Sequence, residues 1–295
     1  MTPAVTWPTL LGLSFLVLGL ITWRRDVGAT GARDAFGLAA FGPAFIAAGL
    51  GAFAGEHFTI AASIASIVPK WLPGRLFIAY FVGVAHLAAA TSFVARRYVR
   101  WAAISLAVMF GLFVLLMDLP AAIARPTVFL NWTLASRQAT FAIGALSLFA
   151  IETWDHQPAA SRTIALIARI WTAAVLVLYG VQHLMHPEFA PGVPSPVLTS
   201  AWVPFPQLLA YATGLLLVAF GLAMFVERFA SAGAALCGLL MVLLTAALYV
   251  PDFFLAAGVQ ERIKAINFVF DTLLFAGTVL VISRAVVHRP VPSRV

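Results

Sequence analysis

Charged side chains are scarce in this chain of 295 residues: Asp, Glu, Lys and Arg together make up 10%, where a soluble domain carries roughly a quarter. Cysteine occurs once, at Cys237. That excludes an intramolecular disulfide, a CxxC redox pair and an iron–sulfur cluster held by the usual four thiolates. The chain contains no phosphate-binding glycine loop, no serine nucleophile elbow and no HExxH, so soluble-type ATP or protease chemistry is unsupported. No basic residue precedes the first apolar run, Trp23-Arg24-Arg25 follows it, and no small-residue cleavage site comes after. This is the reverse of a secretory leader, and the run is expected to persist as an anchor helix.

Apolar residues dominate instead, at 62% of the chain with mean hydropathy +1.00. A spanning helix consumes ~20 apolar residues, so the expectation is an all-α membrane protein with about nine transmembrane helices. Apolar runs fall near 7–23, 35–57, 76–95, 101–119, 137–152, 165–183, 208–226, 230–250 and 263–283. The net charge of +7 and pI near 10.3 then sort by side. With the first helix starting outside, the inner connections hold twelve basic residues: Arg24, Arg25, Arg33, Arg96, Arg97, Arg100, Arg162, Arg169, Arg228, Arg284, Arg289 and Arg294. The outer ones hold six: Lys70, Arg75, Arg125, Arg137, Arg262 and Lys264. The positive-inside rule therefore places the N-terminus outside and the C-terminus in the cytoplasm. The basic balance is a topology signal, with membrane lipids rather than nucleic acid as the partner.

The chain also repeats itself. Trp71, Pro73, Tyr80, Gly83 and Pro120 recur as Trp202, Pro204, Tyr211, Gly214 and Pro251, all at an offset of 131. Upstream, His57 pairs with His183 at 126; downstream, Asn131 pairs with Asn267 at 136. Each step of five residues is expected to sit in an outer loop of the second copy. The organisation read from this is an anchor helix and loop over 1–34, a first four-helix repeat over 35–160 and a second over 161–295. An even number of spans per copy makes the two parallel.

The residues that repeat also carry a family resemblance. The first copy has His57-Phe58, then Ile67-Val68-Pro69-Lys70-Trp71-Leu72-Pro73, then Tyr80 and Gly83. The second has Gly180-Val181-Gln182-His183, Pro187-Glu188-Phe189, Trp202-Val203-Pro204-Phe205-Pro206, then Tyr211 and Gly214. This pattern resembles that of the DoxX-like family of small four-helix membrane proteins, GxxHFxxPxF, IVPxxLPxP and YxSGxxE, over most of the chain after residue 35. The acidic residue that the family often places three after the glycine is His86 in one copy and Leu217 in the other. The resemblance implies a bacterial-type plasma-membrane protein that binds a quinone and works beside a redox partner protein in redox or sulfur-linked metabolism.

An ionisable group within the hydrocarbon faces the bundle interior or a wet cavity and marks a candidate site. His86 lies at mid-span, one turn after Gly83; it is either a satisfied structural histidine or a ligand-binding one. Asp271 follows Asn267 by four residues, on one helix face. With His57 and His183 these form the expected ligand-pocket lining: His57, His86, His183, Asn267 and Asp271. The outer face gathers Glu56, Asp118, Arg137, His186 and Glu188. His183, His186 and Glu188 have no third strong ligand beside them, so no metal is assigned, and no residue is assigned a catalytic role. Trp71, Trp132 and Trp202 fit an interfacial belt, or the Pro-rich loops that carry two of them form a lid. Gly51 and Gly55 make a GxxxG packing motif.

Three function classes follow: a binder of a quinone-like lipophile, a non-catalytic scaffold or assembly factor, and a small-solute transporter. The prolines lie mainly in loops rather than at midplane, which argues against the transporter.

Overall fold

The computed structural model describes residues 2–27 and 35–287. Arg33, Arg289 and Arg294, counted above for orientation, lie outside the described residues. Among those described, nine helices are long and apolar enough to cross a membrane, and no sheet forms. They are α1 Pro3–Asp26, α2 Gly37–Thr59, α3 Arg75–Ala95, α4 Val99–Ala124, α5 Phe129–Thr153, α6 Pro158–Met185, α7 Pro206–Phe225, α8 Glu227–Leu255 and α9 Val259–Val287. The chain is an all-α membrane protein.

Several helices outrun the apolar stretches that announce them. α4 runs to Ala124 and α8 to Leu255, while α5 starts at Phe129 and α6 at Pro158. Arg137, expected in an outer connection, therefore stands inside α5. In hydrocarbon a helix satisfies its own backbone, so it continues through the interface wherever a polar side chain finds a partner or reaches water.

α9 is the hub, with 89% of its apolar window buried. It packs against α2, α5, α6 and α8. α1 lies outside the rest, against α2, with Leu10, Leu13, Val17, Leu18 and Ile21 exposed as lipid-facing residues. When α2–α5 is matched to α6–α9, the α2–α9 contact exchanges with the α6–α5 contact, and the α5–α9 contact maps onto itself.

Local detail follows the same register. A π-turn widens α4 at Val114–Asp118 and another widens α8 at Thr245–Tyr249, again 131 residues apart. Each lies just before a proline, Pro120 or Pro251. Proline has no N–H to give and its ring clashes with the carbonyl four residues back; a wider turn relieves both problems without breaking the span. The second step of five residues departs from expectation. The α4–α5 loop spans 125–128 and the α8–α9 loop 256–258, so the extra residues lengthen the start of α9 instead of a loop. Glu261 supports that extension by accepting from the Ala257 and Gly258 amides.

The ends of α1 are fixed by different means. At one end the glycines of the GxxxG motif let it touch α2: a Cβ on Gly55 would lie 2.7 Å from Pro8 Cα and from Pro8 N. At the other, the Trp23 indole donates to the Phe93 carbonyl at 2.9 Å. The Arg96 guanidinium stacks 4.2 Å over the Trp23 ring and pairs with Asp26 at 2.7 Å. Backbone contact of the Gly55 kind cannot yield, so Gly55→Val is expected to destabilise the protein in mild detergent by about 1–3 kcal/mol through overpacking. Gly111, with nothing within 4 Å of its added Cβ, is the control: Gly111→Ala leaves the melting temperature unchanged or raises it. Equal losses for the two would contradict the α1–α2 packing described.

Candidate functional site

Two groups of polar side chains sit inside the bundle, toward the end that carries the 60–74 and 186–205 connections. The first lies on the central helices. Asp271 on α9 is buried and accepts from Arg137 Nη1 on α5 at 2.8 Å. One turn along α9, Asn267 donates to Glu56 Oε2 on α2 at 3.3 Å. Asp118, in the π-turn of α4, lies within electrostatic reach of Arg137. Beside them the buried Tyr179 hydroxyl of α6 donates to the Thr133 carbonyl and stands 3.0 Å from the Ser136 hydroxyl, both on α5. This layer joins α2, α5, α6 and α9. An ion pair in so dry a setting returns its desolvation cost only through close geometry and further bonds, and removing one partner strands the other.

The second group is the pair His57 and His86. Gly83, one turn before His86 on α3, permits the approach: a Cβ there would lie 2.7 Å from His57 Cβ. The two imidazoles meet edge to face with centroids 5.2 Å apart. Phe53 and Phe110 flank His86, each with its centroid 6.1 Å away. His86 is 3% exposed. Both of its ring nitrogens, and Nδ1 of His57, are buried with no hydrogen-bond partner. A neutral imidazole carries one donor and one acceptor, and leaving such groups unmet in the interior costs on the order of 1–3 kcal/mol each.

The five expected pocket residues thus divide among three places rather than forming one lining. His57 and His86 meet each other. Asn267 and Asp271 join Glu56 and Arg137 on the central helices. His183 turns to the connection after α6, where its Nε2 lies 3.2 Å from the Gly192 amide nitrogen and 3.0 Å from the Gly192 carbonyl. Of the remaining outer-face candidates, His186 pairs with Glu188 at 3.2 Å, exposed and apart from the other groups. Glu56 and His57, adjacent in sequence, serve different neighbours because successive helical residues point some 100° apart.

The Pro-rich segment between α6 and α7 lies partly inside the bundle and partly at its surface. Residues 190–194 are buried in the bundle, and Trp202, at the surface, donates to Asp252 Oδ1 at 2.7 Å. Between them opens a cleft of about 380 Å³ bordered by Leu198, Trp202, Tyr249, Lys264 and Phe268.

Sequence reasoning passed over Gln182, which is 4% exposed with both amide atoms unpartnered. The signal was present: at the offset of 126, Gln182 corresponds to Glu56 and Tyr179 to Phe53. The chain matches no family model, no curated protein and no solved structure.

The central ion pair gives a cycle with a definite sign. Asp271→Leu alone, which leaves the guanidinium unpaired, is expected to destabilise by about 3–5 kcal/mol, and the double variant Arg137→Leu/Asp271→Leu to recover most of that. Thermal unfolding in detergent measures both; a double variant no better than the single one would contradict the pairing.

Proposed function

We propose that the protein binds a quinone-like lipophilic small molecule at His57 and His86. In this reading it is a DoxX-like, two-repeat protein of a bacterial-type plasma membrane, with its N-terminus outside, acting beside a redox partner. The observation that carries the reading is the imidazole pair: three buried ring nitrogens without partners, in an aromatic setting, within the half of the bundle that faces outward in this orientation. Such an arrangement suits a ligand with a flat apolar body and a few polar atoms at its edge. His86 Nε2 and Nδ1 and His57 Nδ1 would hold the carbonyl or hydroxyl oxygens of a quinone, and the quinone, when bound, would supply the electron-carrying chemistry that the side chains lack. The repeat reading is supported by the common offset of the two π-turns and by the two glycine–histidine contacts, Gly83 on His57 and Gly214 on His183.

A second reading, a non-catalytic scaffold, is favoured by a different observation. The Arg137–Asp271 pair and the Trp23–Arg96–Asp26 cluster each end on a neighbouring helix and require no ligand.

Equilibrium binding of decylubiquinone to the detergent-purified chain separates the two. Wild type is expected to bind saturably, and His86→Phe, which keeps the ring and removes both nitrogens, to bind at least about tenfold more weakly, the loss of one buried hydrogen bond to the ligand, with little change in melting temperature. Unchanged binding in His86→Phe, or none in wild type together with a lower melting temperature in the variant, would overturn the quinone reading in favour of the scaffold.

A further inference from the structure

The second copy shows what its equivalent of the histidine site contains. There the 186–205 connection dips into the bundle. Pro191 and Gly192 are buried, and the Tyr249 hydroxyl donates to the Pro191 carbonyl. On the other side the Gly192 peptide meets His183 Nε2. Gly192 has φ +129, a conformation that side chains rarely adopt, and a Cβ on it would meet the Tyr249 hydroxyl at 3.3 Å. Leu244 and Met241 complete the wall around it. One peptide group of the chain itself is thus clasped between α6 and α8.

The first copy has corresponding wall positions, two of them with the bulkier Phe110 and Phe113, and no such segment. His57 answers to His183, Phe110 to Met241, Phe113 to Leu244 and Asp118 to Tyr249. Its connection covers 60–74 where the second covers 186–205, fifteen residues against twenty. The five missing residues are the length that lets the longer connection reach inward. The first connection instead forms the short helix Ala61–Ile67, packed along α3. The consequence shows in exposure: Leu244, Thr245, Leu248 and Tyr249 are buried, whereas Phe113, Val114, Met117 and Asp118 are only half-buried. It shows also in bonding, since His57 Nδ1, both nitrogens of the nearly fully buried His86, and Asp118 Oδ2 have no partner. His86 is peculiar to this copy; its counterpart is Leu217.

We infer that the space between α2 and α4, bounded by His57, His86 and Asp118, is a ligand site whose counterpart in the second copy is filled by the chain's own Pro191–Gly192 peptide, and that its ligand is a lipophile with a hydroxyl-bearing head. The hydroxyl follows from one exchange. Tyr249 offers a donor to the peptide carbonyl; Asp118, at the same position, offers a carboxylate oxygen and takes a donor. The ligand therefore presents an O–H toward Asp118, and an imidazole of the pair takes its second polar atom. This builds on the quinone reading and selects its reduced, dihydroxy form: a quinol is held better than the quinone.

Maleimide labelling of the full-length chain in detergent, in a Cys237→Ala background, tests this at two equivalent positions. Met117→Cys is expected to react with N-ethylmaleimide about tenfold or more faster than Leu248→Cys, since thiol reactivity follows access. Adding Gly192→Val, which expels the inserted peptide, should raise the rate of Leu248→Cys toward that of Met117→Cys. Decylubiquinol should slow Met117→Cys more than decylubiquinone does, and Asp118→Leu should abolish that preference. Equal rates at 117 and 248, or no response of 248 to Gly192→Val, overturn the correspondence between the copies whatever the ligand. Better protection by the quinone than by the quinol overturns the hydroxyl assignment. The expected rate difference with protection by neither form leaves the correspondence standing and removes the quinone-type ligand itself.

Discussion

Hydrocarbon offers no hydrogen bonds, so every polar group carried into the membrane has to find its partner within the chain. That constraint explains why the described spans are helical and why the few interior charges are where they are. Asp271 and Arg137 reach one another across α9 and α5, and Asn267 reaches Glu56 on α2. These bonds fall on the contacts that tie α2 and α5 to α9. The same constraint gives meaning to the exceptions. A half-satisfied surface residue has bulk water within reach; the nitrogens of His86 are buried without a partner, and the proposed ligand site rests on that.

In the proposed two-repeat reading, the copies keep one scaffold and differ in what fills it. The π-turns with their following prolines, and the glycines that admit His57 and His183, recur in register and set up corresponding wall positions twice. A longer connection, Tyr249 and Leu217 close the second copy on itself. A shorter connection, Asp118 and His86 leave the first one polar and partly uncovered. Duplication permits such a division, because one copy can be closed by its own chain while the other keeps buried polar groups without partners.

Much of the architecture was legible in the sequence. The count of nine spans follows from apolar runs alone, and the roles of Gly55 and Gly83 follow from spacing, because a missing side chain has one obvious use between packed helices. The helix ends were not legible. Apolar runs stop where charge begins, but Arg137 continues α5 because Asp271, 134 residues away, receives it. The five candidate residues do not share one lining, for the same kind of reason. Spacing along one helix reports which residues share a face; it does not report which neighbour that face meets. Gln182 shows what comparison of the copies adds, since only its alignment with Glu56 separates it from an ordinary glutamine near a helix end. The inward dip of Pro191 and Gly192 had no local signature beyond five extra residues, and a proline-rich connection reads equally well as interfacial.

The central claim is that His57 and His86 hold a lipophile that the chain does not supply. Mass spectrometry of organic extracts from protein purified in mild detergent addresses it without assuming the ligand's identity. The account predicts one defined lipophile per chain, above the background of bulk lipid, carrying at least one hydroxyl or carbonyl and depleted in His86→Ala. Extracts from wild type and variant that contain the same bulk lipids and nothing else would contradict it.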